Sequence, residues 1–322
     1  MSVLVFVDLD RGALGPTATQ AFGLAVDVAN GAPVIAVAMG SVPAEVATAL
    51  GAAGASTVTV LEHEALDDYA PEAWGDALAQ IIGRVEPAVV LATGNDRGNE
   101  VLAHAAAVLD LPFAANVLSL GAIGPTTSLT RVRWGGSLIE HAELLSERPI
   151  VSTALHAFAA PEGGAVPVVE TMALELSADA ARTRIVDRIT VDAGITLQTA
   201  PVVVSGGRGV GSAEGFAALE QFAAFVGGAV GCSRVVTNQG WRPHSDQVGQ
   251  TGKRVAPELY VACGISGAIQ HWIGMQAAST VLAINIDAAA PMVAKADYAV
   301  IGDLHDVVPA IVAALERRRP RT

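Results

Sequence analysis

Residues 201–217, PVVVSGGRGVGSAEGFA, pass from a short β-branched run through a glycine turn into a helical segment. This order is typical of a strand, a tight turn and a helix that packs back on the sheet. It recurs to the end of the chain, with strand-like segments at AVGCSRVV, ELYVACG, TVLAIN and ADYAVIGD and helical segments between them. The pattern predicts a doubly wound α/β domain with a parallel sheet over residues 196–322.

The first third of the chain shows the same alternation. From VLVFVD to NEVLAHAAAVLD, residues 1–110 predict a Rossmann-like α/β domain. From about Asn116, strand-like segments such as SLTRVRWGG and RPIVSTALHAF follow one another with few helices, which favours a partly antiparallel extension of that sheet. A turn-rich break, PEGGAVP, and a polar segment come next, so we place the domain boundary near residue 195.

Composition excludes several classes of protein. The chain has 322 residues, with 19 Lys and Arg against 32 Asp and Glu, and this net charge of −13 disfavours a nucleic-acid partner. Although 52% of the residues are hydrophobic, no apolar run approaches the roughly 20 residues of a membrane-spanning helix. The start, MSVLVFVDLD, lacks the basic region and long apolar core of a secretory signal. We therefore expect a cytoplasmic protein that does not insert into membranes.

The sequence offers no evident catalytic or metal-binding group. Cys232 and Cys263 stand in apolar runs without C-x-x-C spacing, which favours small buried hydrophobic residues over a disulfide or a zinc site. The seven histidines are scattered, and no Ser-His-Asp or paired-carboxylate pattern has convincing spacing. A nucleotide crevice without a catalytic group suggests that a redox cofactor supplies the chemistry.

The glycine turn after the first strand of the second domain differs from the nicotinamide-dinucleotide fingerprint. G-x-G-x-x-G fails because its last position falls on Ser212 when counted from Gly207 and on Glu214 when counted from Gly209. The turn glycines still permit close approach of backbone N–H groups to an anion, with Arg208 adding a charge. A bare structural turn is the alternative.

A second glycine-containing motif, QVGQTGK at residues 247–253, ends like a triphosphate-binding loop. Gln247 occupies the position of the first glycine of that loop and Arg254 that of the magnesium-binding hydroxyl, so an ATPase loop is excluded. The motif lies in a polar connection of about twenty residues, 237–257, which is longer than compact domains usually tolerate without a function. Two interpretations of this connection stay open: a segment that wraps a ligand, and a disordered connector.

A third candidate is CGISGAIQH, at a predicted strand-to-helix turn. Ser266 lies near the expected N-cap, where a hydroxyl and free N–H groups can bind an anion. The alternatives are that Ser266 only caps the helix and that His271 is a surface histidine whose hydrogen bonds are satisfied. Because SGGRG, CSR, CGISG, IN and GD all follow predicted strands, they should line one crevice at the carboxyl ends of the sheet.

Taken in order, VVVSGGRGVG, GCSRVV, QVGQTGKRVAPELYVACGISGAIQH, AIN, DAAAPMVAKADY and VIGDL resemble the alpha subunit of electron-transfer flavoprotein over residues 200–315. The resemblance implies that residues 1–195 supply subunit contacts and residues 196–322 bind FAD. It implies these FAD contacts: Arg208, Ser233, Arg234, Val248, Gly249, Gln250, Thr251, Ser266, Gly267, Ala268, Ile269, Gln270, His271, Asn285, Asp303 and Leu304. Asn238 before the Gly-Trp pair and Asp8-Leu9 after the first strand depart from the usual pattern.

The resemblance also implies roles at the flavin. A cation beside the isoalloxazine stabilises negative charge on the reduced ring, a role that suits Arg234. His271 would donate to the C2 oxygen, and Thr251, or the nearby backbone, would form a hydrogen bond with N5. Ser266 and the glycine turn would bind the diphosphate, and Asp303 the adenosine end.

The function implied is that of an electron carrier without an organic substrate of its own. Such a carrier forms a heterodimer with a beta subunit, takes electrons from flavin dehydrogenases such as acyl-CoA dehydrogenases, and passes them to a quinone-linked or other acceptor. Whether the beta subunit holds AMP or a second FAD stays open. Two other functions remain open: a direct NAD-dependent flavin oxidoreductase, and an adenine-nucleotide-binding regulatory module.

Overall fold

The computed structural model describes residues 2–176, 180, 182–186 and 195–318. The chain forms two compact units, Met1–Ile189 and Thr190–Thr322. The boundary predicted near residue 195 adjoins residues 187–194, which lie outside the described residues. Each unit is an α/β structure with its own sheet, as the sequence predicts.

The first unit is built on a nine-stranded sheet within its described residues. Its strands are β1 (Val3–Phe6), β4 (Val34–Met39), β5 (Thr57–Glu62), β6 (Val89–Thr93), β7 (Phe113–Leu120), β8 (Thr126–Arg133), β9 (Leu138–Leu145), β10 (Ile150–Thr153) and β11 (Val168–Ala173). The order across the sheet is β11-β5-β4-β1-β6-β10-β7-β8-β9. A separate hairpin joins β2 (Leu9–Asp10) to β3 (Ala13–Leu14).

Helices alternate with the early strands because apolar residues in each helix recur on the face toward the sheet. They are α1 (Ala21–Ala29), α2 (Ala44–Ala52), α3 (Pro71–Val85) and α4 (Asp96–Leu109). Pro71 begins α3, and Asn95 caps α4 by accepting from the N–H of Gly98 at 2.7 Å. Two apolar clusters pack on opposite faces of the sheet, which completes a doubly wound unit.

The antiparallel extension predicted from about Asn116 is confirmed. Strands β7, β8 and β9 pair antiparallel at one edge of the sheet, with Thr126 opposite Leu145 and Arg133 opposite Leu138. The rest of the sheet is parallel. The change of direction follows from the short connections after β7, since parallel neighbours need long crossovers.

The second unit has a five-stranded parallel sheet within its described residues. Its strands are β12 (Val202–Gly206), β13 (Ala229–Cys232), β14 (Leu259–Cys263), β15 (Thr280–Asn285) and β16 (Tyr298–Ile301). Its helices are α5 (Ala217–Phe225), α6 (Arg234–Asn238), α7 (Ile269–Met275), α8 (Pro291–Lys295) and α9 (Leu304–Arg318). The order β13-β12-β14-β15-β16 places the change of winding direction between β12 and β14. Ligands of open parallel sheets bind at that point, beyond the carboxyl ends of the strands.

One prediction of local structure is wrong. The strand predicted over AVGCSRVV ends at Cys232, four residues early, because Ser233 is the N-cap of helix α6, which starts at Arg234. Ser266 lies near the N-cap of α7, as predicted, but it does not cap the helix itself: the N-cap is Ala268, two residues later. Element boundaries are the part of a fold that local sequence patterns fix least well.

The prediction that both cysteines are small buried residues is confirmed. Cys232 and Cys263 are buried and free. No group of metal-ligating side chains occurs among the described residues. Within the same residues, no helix is both long enough and apolar enough to cross a membrane.

Candidate functional site

A cavity of about 720 Å³ opens at the carboxyl ends of the second sheet. Its walls come from the segments that follow β12, β13, β14, β15 and β16 and from the loop between β13 and β14. Cofactor sites typically measure about 300–1,000 Å³ and lie at this edge of an α/β sheet. The cavity therefore has the size and the position of a nucleotide-cofactor site.

Most of the sequence-predicted contacts line this cavity. They are Arg208, Ser233, Arg234, Val248, Gly249, Gln250, Thr251, Ser266, Ala268, Gln270, His271, Asn285, Asp303 and Leu304. Gly267 and Ile269 do not line it. Gly267 has a φ of +84° and packs against the backbone of Met292, while the side chain of Ile269 is 56% exposed.

Sequence reasoning missed further wall residues. They are Gly209, Val235, Gln247, Gly264, Ile265, Ile284, Ile286, Asp287, Ala290, Pro291, Gly302 and His305. Most of them adjoin a predicted residue at the end of a strand, so the rule that carboxyl ends converge could have found them. Apolar types such as Ile284 carry no chemical signal of their own.

The glycine turn after β12 plays a different role from the one predicted. The N–H groups of Gly207 and Gly209 donate to the carbonyl oxygens of Cys263 and Gly264, at 2.9 and 3.1 Å. A Cβ on Gly209 would lie 2.9 Å from the Cα of Gly264. These glycines bring two turns into close packing, and their N–H groups are not free for an anion.

Free backbone donors occur instead in the turn after β14. The N–H groups of Ser266, Gly267 and Ala268 make no hydrogen bond with any described residue. Ser266 and Ala268 line the cavity, and the Ser266 side chain is exposed. Consecutive unbonded N–H groups form a concave site that favours anions.

The loop that contains QVGQTGK has a defined conformation. Backbone bridges join Cys232 to Gln247 and Val248 to Lys253. The N–H of Gln250 donates to the carbonyl oxygen of Gln270 in α7 at 2.7 Å. These bonds fix the loop from both sides, so the ligand-wrap interpretation fits the structure and the disordered alternative does not.

A buried amide connects the loop to α6. Gln247 is 1% exposed; its Oε1 accepts from Thr237 Oγ1 at 2.7 Å and its Nε2 donates to Thr251 Oγ1 at 2.9 Å. The Thr251 oxygen is thus an acceptor already, and its proton has no acceptor among the described residues. Thr251 can therefore present a hydroxyl donor to a ligand in the cavity.

His271 is buried, contrary to the surface alternative raised from the sequence. It is 7% exposed, and its Nε2 lies 2.9 Å from the hydroxyl oxygen of Tyr260. Burial lowers the pKa of the imidazole to about 4, with the backbone of Val248 acting in the opposite direction. Its Nδ1 is buried and lacks a hydrogen bond of normal geometry within the described chain. A neutral imidazole with one unsatisfied nitrogen thus lines the cavity.

Charge is distributed unevenly around the cavity. Arg208 and Arg234 are exposed cations in its wall, and neither forms an ion pair with a described carboxylate. Asp303 lines another part of the wall and accepts from the N–H of His305 at 2.9 Å. Asn285 is 8% exposed and holds the turn by donating to the Ile265 carbonyl oxygen at 3.0 Å. An anionic ligand would find its partners at the arginines.

Comparison with known proteins identifies the family. The model of the electron transfer flavoprotein domain matches residues 3–203, and the model of the electron transfer flavoprotein FAD-binding domain matches residues 196–276. The electron transfer flavoprotein subunit alpha of Mycobacterium leprae (strain TN) is 36% identical over 322 residues, covering 98% of each chain. The chain belongs to the electron transfer flavoprotein alpha-subunit family.

Other relatives agree along the whole chain. The electron transfer flavoprotein subunit alpha of Paracoccus denitrificans is 36% identical over 317 residues, covering 98% of this chain and 100% of its own. Protein FixB of Clostridium saccharobutylicum is 32% identical over 318 residues, covering 97% and 95%. The resemblance to electron transfer flavoprotein is thereby confirmed, as are electron transport and FAD as the cofactor.

The residues present fit FAD. Arg208 and Arg234, which pair with no described carboxylate, suit a diphosphate, as do the N–H groups of the Ser266 turn, which bond to no described residue. The unsatisfied Nδ1 of His271 and the unused proton of Thr251 suit the polar edge of a flavin, which presents both donors and acceptors. Electron transfer flavoproteins carry out redox chemistry with this cofactor, and the protein groups around it tune that chemistry.

Proposed function

We propose that the cavity of the second unit holds FAD and that the chain is the alpha subunit of a heterodimeric electron carrier. It accepts electrons from flavin dehydrogenases such as acyl-CoA dehydrogenases and passes them to a quinone-linked or other acceptor. The observation that carries the proposal is the unsatisfied Nδ1 of buried His271, because a buried polar atom of this kind calls for a ligand.

The cofactor's diphosphate is held, in this proposal, by the turn after β14. Ser266 offers a hydroxyl and an N–H group, and Ala268 a second N–H group, with Arg208 as a cation in the same wall. Hydrogen bonds from such groups to phosphate oxygens are charge-assisted. Asn285, Asp303 and Leu304 line the part of the cavity that takes the adenosine end.

Three side chains act at the flavin. Bound FAD supplies one- and two-electron transfer through its isoalloxazine ring. Arg234 keeps a permanent positive charge beside the ring, Thr251 donates its hydroxyl proton to a ring nitrogen, and His271 offers a neutral imidazole to a ring carbonyl oxygen. Ser233, Val248, Gly249, Gln250 and Gln270 complete this wall and exclude water.

The partner proposed for this chain is an electron transfer flavoprotein beta subunit, which carries AMP or a second FAD. Support comes from the relatives, which are named as subunit alpha and match the chain over nearly its full length. Residues 1–195 would supply most subunit contacts, and the complex would work in the cytoplasm. The net charge of −13 argues against a nucleic-acid partner.

The location of FAD is tested by blocking the cavity. In the protein purified with its beta subunit, Ser266→Trp places an indole in the wall and should remove most bound FAD. The matched control, Ser279→Trp, changes an exposed serine that does not line the cavity and should keep FAD at the parental level. Flavin absorbance per chain measures both. Parental FAD content in a folded Ser266→Trp protein would exclude this cavity.

The electron route is tested separately. An acyl-CoA and its dehydrogenase should reduce the bound flavin, and a quinone-linked acceptor should reoxidise it. Direct oxidation of NADH by the purified complex would instead support a nicotinamide-dependent oxidoreductase. A colourless protein that binds AMP or ATP would support the regulatory module.

A further inference from the structure

A short chain of buried polar side chains ends at the cavity. Tyr260 in β14 and Ser205 in β12 are both 0% exposed, and His271 in α7 is 7% exposed. The Tyr260 hydroxyl oxygen lies 2.9 Å from His271 Nε2. The Ser205 hydroxyl lies beside that of Tyr260 and favours its ionised form, although the pair lacks normal hydrogen-bond geometry. Tyr260 does not line the cavity, so it can act on a ligand only through His271.

The hydrogen bond between Tyr260 and His271 has two possible directions. Either the phenol donates to Nε2, which leaves the imidazole proton on Nδ1, or Nε2–H donates to the phenol oxygen, which leaves Nδ1 as an acceptor. The imidazole is neutral because burial lowers its pKa to about 4, so it has a single N–H. A phenol is a much stronger acid than an imidazole N–H, and an imidazole nitrogen is a stronger base than a phenol oxygen. The pair is therefore more stable when Tyr260 donates.

One neighbouring group supports the same direction. Ser205 favours the ionised form of Tyr260, which makes the phenol a better hydrogen-bond donor, although the two hydroxyls lack normal hydrogen-bond geometry. The backbone of Val248 favours a protonated His271, but Nδ1 has no hydrogen bond of normal geometry with any described group. When Tyr260 donates to Nε2, the remaining imidazole proton stands on Nδ1 and is available to a ligand in the cavity.

We propose that Tyr260 is a positioning residue which holds His271 in the tautomer protonated at Nδ1, so that this nitrogen is a fixed donor to a carbonyl oxygen of the flavin. The inference rests on the proposed FAD site. A rigid neutral donor stabilises an oxygen more strongly when that oxygen carries negative charge. Tyr260 thereby raises the flavin potential without touching the cofactor.

The tautomer can be observed directly in the unmodified protein. The FAD-loaded complex with its beta subunit is labelled with ¹⁵N-histidine, and the His271 signals are assigned as those missing from His271→Gln. The expected result is a protonated Nδ1 and an unprotonated, hydrogen-bonded Nε2 at pH 7. A protonated Nε2 would overturn the inference, whatever any variant does.

The role in tuning is tested by Tyr260→Phe, which removes one hydroxyl and keeps the ring. We expect a mixture of His271 tautomers and a flavin potential lowered by about 30 mV, which for a two-electron couple is a tenfold weaker preference for the reduced form. The matched control is Tyr298→Phe, since Tyr298 is 66% exposed on β16 and does not line the cavity. It should leave both readouts at parental values.

The outcomes separate this inference from the proposed site. If Tyr260→Phe keeps one tautomer and the parental potential while His271→Gln shifts the potential, the inference is wrong and the site stands. If His271→Gln and Ser266→Trp both leave FAD binding and potential unchanged, the proposed site is wrong. The tautomer spectrum of the unmodified protein decides the inference even if Tyr260→Phe does not fold.

Discussion

Gln247 donates from Nε2 to Thr251 Oγ1 over 2.9 Å, so a fully buried amide orients an exposed hydroxyl in the cavity wall. Replacing the amide by an apolar group of similar size should release that hydroxyl. Gln247→Leu is expected to lower the free energy of unfolding by about 1–2 kcal/mol and to shift the flavin potential. Urea unfolding and redox titration measure the two effects. Gln276→Leu changes an exposed glutamine outside the cavity wall and should alter neither.

The hydroxyl of Thr251 is expected to matter for both the flavin and the fold. Although Thr251 is exposed, its hydroxyl oxygen accepts from the buried amide of Gln247, so Thr251→Ala should lower the free energy of unfolding by about 1–3 kcal/mol. Thr251→Ala should shift the flavin potential, whereas Thr251→Ser keeps the hydroxyl and should stay close to the parent. Equal potentials for all three proteins would remove Thr251 from the flavin contact.

The charge of Arg234 is expected to favour the reduced cofactor. Arg234→Ala should lower the flavin potential or weaken the binding of FAD. The loss of binding free energy should be only about 1 kcal/mol, because the guanidinium is exposed and partly screened. Arg234→Lys keeps the charge and should show a smaller effect. Lys253→Ala removes a cation from the adjoining loop that does not line the cavity, so redox titration should give the parental value. An equal shift from Lys253→Ala would indicate a general charge effect.

Gly267 is expected to support the turn rather than contact FAD. It has a φ of +84°, and a Cβ there would lie 2.3 Å from the backbone nitrogen of Met292. Gly267→Ala should therefore lower the free energy of unfolding by roughly 3 kcal/mol or more. Gly211 has a φ of +85° but open space around it, so Gly211→Ala should cost only about 1–2 kcal/mol. Similar losses for both variants, measured by urea unfolding, would show that conformation alone matters.

The burial of His271 predicts a pH dependence of stability. Its pKa is about 4 in the folded chain against an ordinary value of 6.5, so between these values the unfolded chain binds more protons. Stability should therefore fall as the pH drops from 6.5 toward 4, at up to about 1.4 kcal/mol per pH unit from this group. His271→Gln should make the decline shallower. Hydrogen exchange of the β14 amides measures it, and equal slopes in both proteins would contradict the assignment.

Much of the site follows from sequence because the glycine turns mark the carboxyl ends of parallel strands. That rule is enough to bring Arg208, Ser233, Ser266, Asn285 and Asp303 to one cavity. The ends of strands and helices are harder to predict. The strand at AVGCSRVV stops at Cys232 because the chain turns at Ser233, but the residue types alone allow either a longer strand or a helix there.

What sequence could not supply is contact between distant residues. The sequence pattern allows His271 to be a surface residue on a short helix, yet the side chain of Tyr260 on β14 and the adjoining loop bury it. The pattern of glycines after β12 predicts an anion site, yet the N–H groups of these glycines donate to the carbonyl oxygens of Cys263 and Gly264. Such pairings depend on how turns pack, which the local pattern does not encode.

The hydrogen bond between Tyr260 and His271 also constrains how the family can diverge. Loss of either partner alone leaves a buried polar group unsatisfied, whereas replacing both by apolar residues of matching shape can be nearly neutral for folding. Substitutions at these two positions should therefore be strongly epistatic. A lineage that gave up the pair together would keep a stable domain but would inherit a flavin with a lower potential.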